Sequence, residues 1–179
     1  MPKRHQQFKS KKPGTHVTVK SIKKDFGATE FLAHLTSFLR EQSIVARVPF
    51  SERSVFPIYH RLYLSLPPVP EVSGDAPVRD VIIATKANRG KITTNGIKNA
   101  SASRFSTALL RVPTAGSSLS DSLSGLGIAQ IRLIFKLPES SGLSIDEPLA
   151  YVHWFKPLGW FDDTLGMFQT LFSSRNHRQ

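Results

Sequence analysis

From Ile128 to Leu137 the chain alternates. Ile131, Leu133, Phe135 and Leu137 fall on one side and Gln130, Arg132 and Lys136 on the other, the period-two pattern of a half-buried strand. In a second segment, Leu149 to Lys156, Ala150, Val152 and Trp154 alternate with Tyr151, His153 and Phe155. Neither side of that segment is plainly polar, which predicts a strand at the centre of its sheet, covered on both faces. Between Ala28 and Gln42 the period lengthens: Phe31, Leu32, Leu35, Phe38 and Leu39 recur at helical spacing, opposite Glu30, His34, Ser37, Arg40 and Glu41. With Asp25 or Thr29 available as a cap and no Gly or Pro inside, one amphipathic helix is predicted over 28–42.

The remaining apolar runs are short. Ser54–Leu66, Asp80–Thr85, Phe105–Val112 and Leu165–Phe172 carry the aromatic and β-branched residues of strands, with Pro57 at an edge or a strand start. The polar stretch Lys86–Ser103, the Ser/Gly-rich stretch Gly116–Gly127 and Pro138–Pro148 read as loops. Short strands with turn signals between them, after one helix, predict a mainly β (α+β) domain over residues 25–174. The architecture expected is a small SH3-like or partly open β-barrel.

Charge divides the chain differently. The formal net charge is +11 over 179 residues. Lys3, Arg4, Lys9, Lys11, Lys12, Lys20, Lys23 and Lys24 precede the first acidic residue, and Arg175 and Arg178 lie in the last five residues. The other 14 basic residues meet all 13 acidic ones, so residues 25–174 carry only +1. Residues 1–24, lysine-rich and poor in apolar side chains, read as a disordered basic arm, and 175–179 as a basic tail. Such an arm suits phosphate backbones, an import receptor or an anionic membrane surface, or serves solubility alone.

Composition removes several chemistries. There is no cysteine, which excludes disulfides, thiolate catalysis and most structural zinc patterns. No apolar run of about eighteen residues and no apolar leader is present, so a soluble intracellular protein is expected. Asp25-Phe26-Gly27 spells the kinase magnesium motif without the Gly-rich loop or catalytic loop that gives it meaning. Gly90-Lys91 lacks the P-loop's upstream glycine, and Gly125-Leu126-Gly127 lacks the third glycine of a dinucleotide fold. The six histidines form no pair at metal-ligand spacing. The adjacent acids Asp146-Glu147 and Asp162-Asp163 read as loop residues. No catalytic residue, metal, cofactor or small-molecule substrate is expected.

One aromatic cluster invites a functional reading. Tyr151, Trp154, Trp160 and Phe161 could line a pocket of the kind that surrounds a methylated lysine with ring faces. Tyr151 and Trp154 should point to opposite faces of a strand, so Trp160 or Phe161 would have to complete it. Packing in the core is the competing account.

Ordered fragments resemble a known family. They are Phe31-Leu32 with Phe38-Leu39, Val55-Phe-Pro-Ile-Tyr-His-Arg61, Arg104-Phe-Ser-Thr-Ala-Leu-Leu110, Ala129-Gln-Ile-Arg-Leu-Ile-Phe-Lys-Leu-Pro138, Leu149-Ala-Tyr-Val-His-Trp-Phe155 and Gly166-Met-Phe168. Together, over roughly residues 28–172, they resemble the C-terminal accessory region of fungal DNA-transposon-encoded proteins of the Plavaka and KDZ type. The resemblance implies a β-rich module with bromo-adjacent-homology or SH3-like character, away from any catalytic centre, and carries over no catalytic residue. The transposase portion is absent and the chain stops at Gln179 where relatives continue, which implies a truncated or domesticated fragment. The expectation is a nuclear, non-catalytic module that binds DNA or chromatin through the arm and the barrel. Its alternatives are a protein-interaction module, or degenerate transposon remnant, whose arm serves import, and lastly a metal-dependent nuclease using Asp162 and Asp163.

Overall fold

The computed structural model describes residues 7–9, 13–44, 49–66, 68, 78–88, 90–93, 96–98, 100–111, 126–143, 145, 147–156 and 161–173. The fold is mainly β, with two α-helices among the described residues. The chain runs β1 (Gln7–Lys9), β2 (Thr15–Thr18), α1 (Val19–Phe26), α2 (Phe31–Glu41), β3 (Val55–Tyr59), β4 (Arg61–Leu66) and β5 (Val78–Thr85). It continues through β6 (Lys91–Thr93), β7 (Gly96–Lys98), β8 (Arg104–Phe105), β9 (Thr107–Arg111), β10 (Leu126–Phe135), β11 (Leu149–Trp154), β12 (Phe161–Asp162) and β13 (Met167–Phe168).

Residues 13–24 correct the expectation of a disordered arm. Thr15–Thr18 pairs with β3, and Val19, Ile22 and Phe26 recur along one face of α1 with none of their surface exposed. Thr18 caps the helix, its Oγ1 accepting from the Ser21 amide at 3.3 Å. Gly27 ends it in the left-handed conformation at φ 68°. The lysines that suggested disorder occupy the outer side: Lys20 and Lys24 are exposed and Lys23 pairs with Glu52. Lys23 and Lys24 also lie in the last turn, where they complement the helix dipole. Of the arm, β1 pairs with β4, while Lys3, Arg4, Lys11 and Lys12 lie outside the described residues. Two helices therefore precede β3 instead of one. The helix expected over 28–42 is α2, whose buried Phe31, Leu35 and Leu39 have the expected spacing.

Two sheets form the body. One has the order β1-β4-β5-β8; the other runs β11-β10-β3-β2, with β9 also paired to β10. Residues 54–66, expected as one strand, break at His60: β3 belongs to the second sheet and β4 to the first. The carbonyl of His60 accepts from Ala84 N at 3.1 Å, tying this corner to β5. A second corner lies at Ser106, between β8 and β9, where the expected strand 105–112 likewise divides. Ser106 donates its amide to Ile83 and accepts the Ile83 amide on Oγ at 2.9 Å, while its carbonyl accepts from Ile131. Strands that change sheets at such corners let the two sheets face each other.

Between the sheets lie Leu62 and Ala84 from one and Tyr59, Ile131 and Ile134 from the other. The opposite side of the second sheet, bearing Phe56, Ile58, Leu133, Phe135 and Tyr151, is covered by Val19, Ile22, Phe26, Phe31, Leu35 and Leu39 of the helices. Phe31 sits at the centre of this layer, with rings of Phe56 and Phe135 each edge-on at 5.1 Å. The result is a helix layer on a sheet on a second sheet. Each buried aromatic ring contributes a large share of the apolar area removed from water.

The alternation seen in the sequence is interrupted at Arg132. The β10–β11 register shifts between Ile131 and Leu133, so Ile131 faces the inter-sheet cluster while Leu133, Phe135 and Leu137 face the helices. Ile131 was expected on the same side as those three. One extra residue at a bulge reverses the parity of everything before it. β11 is also corrected: among the described strands it pairs with β10 alone, at the edge of its sheet, and on its other side only its end meets the C-terminal segment, where the Trp154 carbonyl accepts from Ser173 N. Its aromatic content reflects a helix layer against Tyr151 and the C-terminal segment, which bridges Phe155 to Phe172. The expected loop 86–103 contains the hairpin β6–β7, and the expected last strand 165–172 is instead the hairpin β12–β13 followed by that bridge.

Candidate nucleic-acid interface

The helices cover one outer side of the two-sheet body, and no described element covers the outer side of the four-stranded sheet. Register decides what stands there. Leu62 and Leu64 of β4 turn inward opposite Ile82 and Asp80, so Arg61, Tyr63 and Ser65 turn outward opposite Ile83, Val81 and Arg79. On β5 the next outward residue, Thr85, pairs with Arg104 of β8. Arg61, Arg79 and Arg104 are exposed, and Tyr63 keeps 38 % of its surface in solvent. Lys9 of β1 is directly opposite Tyr63 in the backbone register. No carboxylate occupies an outward position described on β4, β5 or β8. Asp80 has the opposite parity but is itself exposed, and its Oδ1 accepts from the Val81 amide. Among the described residues the ion pairs are Lys23–Glu52 and Lys86–Asp25, so these three arginines carry uncompensated charge.

Where this face meets the end of the helix layer, an open cleft of about 660 Å³ is lined by Arg104, Arg132, Gln130, Phe105 and Phe172 among others, none of them acidic. Arg132 is the bulged residue of β10. Its Nε donates to the Phe26 carbonyl at 2.7 Å, its Nη1 donates to Gln130 Oε1 at 3.0 Å, and its guanidinium lies over the Phe105 ring, 3.9 Å from the centroid. Burial pushes its pKa down, and no carboxylate among the described residues offsets that. The approach is close enough that a Cβ on Gly27 would lie 2.6 Å from Nη2. Gly27 is thus needed twice, for its positive φ and for room.

The aromatic residues expected to form a cage separate. Tyr151 is buried, its ring stacked on His34 at 5.7 Å and near Phe31 and His153. Burial and, next, Glu30 push its hydroxyl pKa up. Trp154 is half-buried further along β11, and Phe161 pairs edge-on with Phe168 on the β12–β13 hairpin at 4.9 Å. Trp160 lies outside the described residues. Tyr151 therefore belongs to the helix–sheet core, where Phe161 does not reach it. Of the arm's basic residues, Lys20 and Lys24 stand exposed on α1, Lys9 belongs to β1, and Lys23 is committed to Glu52. Asp162 Oδ1 accepts from the Thr164 and Leu165 amides, which fixes the turn of the hairpin; Asp163 is exposed beside it. Among the described residues no three His, Cys, Asp or Glu side chains group so as to hold a metal ion. No described helix is long and apolar enough to cross a membrane.

No family model, curated protein or solved structure matches this chain. Sequence reasoning missed Arg61, Tyr63, Arg79, Arg104 and Arg132 as a group because they come from four strands. The signal that could have found them is the alternation of Arg61, Tyr63 and Ser65 with Leu62, Leu64 and Leu66.

Proposed function

We propose that this chain is a non-catalytic accessory module, of the kind encoded by fungal DNA transposons, that binds nucleic acid in the nucleus. The two sheets and their corners at His60 and Ser106 are read as a partly open barrel of SH3-like character. The exterior of the four-stranded sheet is the binding surface, and Lys3, Arg4, Lys11 and Lys12 add phosphate contacts. The observation that carries this reading is Arg61 and Arg79 flanking the exposed ring of Tyr63, with Arg104 further along the same face, where no described element covers them and no described outward position holds a carboxylate. Arginines supply sequence-independent attraction to phosphates, and an exposed ring between them offers a surface on which a base stacks.

Fluorescence anisotropy of the full chain with labelled duplex and single-stranded DNA tests it. With about six to eight phosphate contacts, log affinity falls against log salt with a slope of about −5 to −7. Changing Arg61→Gln and Arg79→Gln together reduces that slope by about 2, and Tyr63→Ala selectively weakens the single strand. Salt-insensitive binding, or a slope unchanged by the paired substitution, refutes the assignment. The arm is tested by substituting Lys3, Arg4, Lys11 and Lys12 with Gln. Deleting 1–24 would remove Val19 and Ile22 from the core.

A second reading has its own observation. Phe161, Leu165, Met167, Phe168 and Leu171, on and after the β12–β13 hairpin, are between 45 and 66 % exposed. Such an apolar patch suits a protein partner, with the arm serving import. Loss of partner capture on Leu165→Ser and Met167→Ser, with DNA affinity unchanged, would favour it.

A further inference from the structure

The cleft at Arg132 differs from the open sheet beside it. A guanidinium that is half-buried without a counter-ion costs free energy that a lysine on the surface does not. Here it is also held on three sides, by the Phe26 carbonyl, the Gln130 amide and the Phe105 ring. Two of its donors are thereby engaged, Nη2 lies beside Gly27, and the side chain lines a space that Arg104 also lines. A planar fork fixed in this way is preorganised for two-point contact with a tetrahedral oxyanion, and the second guanidinium shares the charge.

The cleft is more than an anion site. Phe172, on its rim, stacks on Phe155 at 4.3 Å with 22° between the ring planes, yet keeps 54 % of its surface exposed. One face is braced and the other is open to a planar ligand. The volume of about 660 Å³ is in the range that holds a nucleotide-sized molecule. Ile83 lines the cleft and is also the outward partner of Arg61, and Arg104 belongs to both surfaces. A strand lying across Tyr63 is thus led into it.

We infer that the cleft seats one nucleotide of a single strand, its phosphate on Arg132 and Arg104 and its base against Phe172. This rests on the nucleic-acid reading of the sheet face and adds a site to it. The phosphate end requires the guanidinium fork, so lysine at 132 is a poor substitute. The base end requires the ring, so inorganic phosphate is a poor ligand.

The test uses the full-length chain, labelled on arginine Nε with ¹⁵N and titrated with 5′-dTMP, thymidine or inorganic phosphate. The Arg132 Nε–H resonance is expected to shift with dTMP and to saturate at a concentration at least about fivefold lower than with phosphate. The factor follows from stacking of about 1–3 kcal/mol per base. Equal affinity for phosphate and dTMP overturns the nucleotide assignment, as does an Arg132 resonance that does not respond. In parallel, anisotropy with a labelled oligothymidylate compares Arg132→Met, Arg132→Lys and Phe172→Ala with Arg61→Gln/Arg79→Gln. Arg132→Met and Arg132→Lys should each weaken binding about tenfold or more, and Phe172→Ala about fivefold or more. If only the Arg61/Arg79 pair matters, the cleft inference fails and the sheet reading stands. If dTMP binds at Arg132 while that pair has no effect, the sheet reading fails and the cleft stands. Phe172 is exposed, so its variant remains informative should Arg132→Met fold poorly.

Discussion

Replacing Gly27 by Ala perturbs two things at once, and the structure separates them. At φ 68° an L-residue is strained, which costs about 1–2 kcal/mol in the left-handed region. The new Cβ would also sit 2.6 Å from Arg132 Nη2, forcing the guanidinium away from the Phe26 carbonyl, Gln130 and the Phe105 ring. Loss of one hydrogen bond from a charged donor costs about 1.5–3 kcal/mol, so the total is about 3–4 kcal/mol. For a chain of this size that lowers Tm by about 6–16 °C. Urea unfolding followed by tryptophan fluorescence gives the value at room temperature. The decisive measurement is the same substitution in an Arg132→Met background, where the methionine can move aside and only the backbone term remains. There the cost should fall to about 1–2 kcal/mol, a coupling of about 2 kcal/mol between the two positions. Equal costs in both backgrounds, within about 0.5 kcal/mol, would refute the account of why glycine stands at 27.

Two further expectations concern the helices and the β10–β11 pair. Thr18→Ala removes the side chain that caps α1 and should lower stability by about 1 kcal/mol, with Thr18→Ser restoring most of it; denaturant midpoints measure both. His153 is held below its ordinary pKa of 6.5, first by burial and then by Arg132 and His34. The unfolded chain therefore binds a proton that the folded chain resists, so stability is full above about pH 6.5 and declines as pH falls from there towards the lowered folded value. A scan of Tm between pH 7.5 and pH 5 should show this decline, and His153→Gln should flatten it.

What could be read from the residues alone follows from the range over which each signal acts. The helix α2 was legible because Phe31, Leu35 and Leu39 repeat within a few turns of one another, and period is a local property. The β character of 54–66, 80–85 and 128–137 was legible for the same reason. The short helix α1 was also written locally, in Thr18, Val19, Ile22, Phe26 and Gly27, but lysines on its outer side outweighed three apolar residues in a compositional reading. Burial of those three against the second sheet supplies what an isolated eight-residue helix lacks.

The sequence by itself determined the helix α2, the β character of the segments after it and the asymmetry of charge between the N-terminal segment and the rest. Tertiary structure decided everything that depends on which strands meet. The corners at His60 and Ser106 interrupt runs of uniform strand propensity, because pairing to two different sheets requires the backbone to turn there. The edge position of β11 follows from its pairing with β10 alone among the described strands, and its aromatic residues are covered by the helices and the bridge to Phe172, not by further strands. The bulge at Arg132 moves Ile131 between clusters and aims a guanidinium at a helix end 106 residues earlier in the chain. The arginines around Tyr63, and the cleft beside them, exist only through register. Alternation says which residues share a face of one strand; non-local pairing says which faces become one surface.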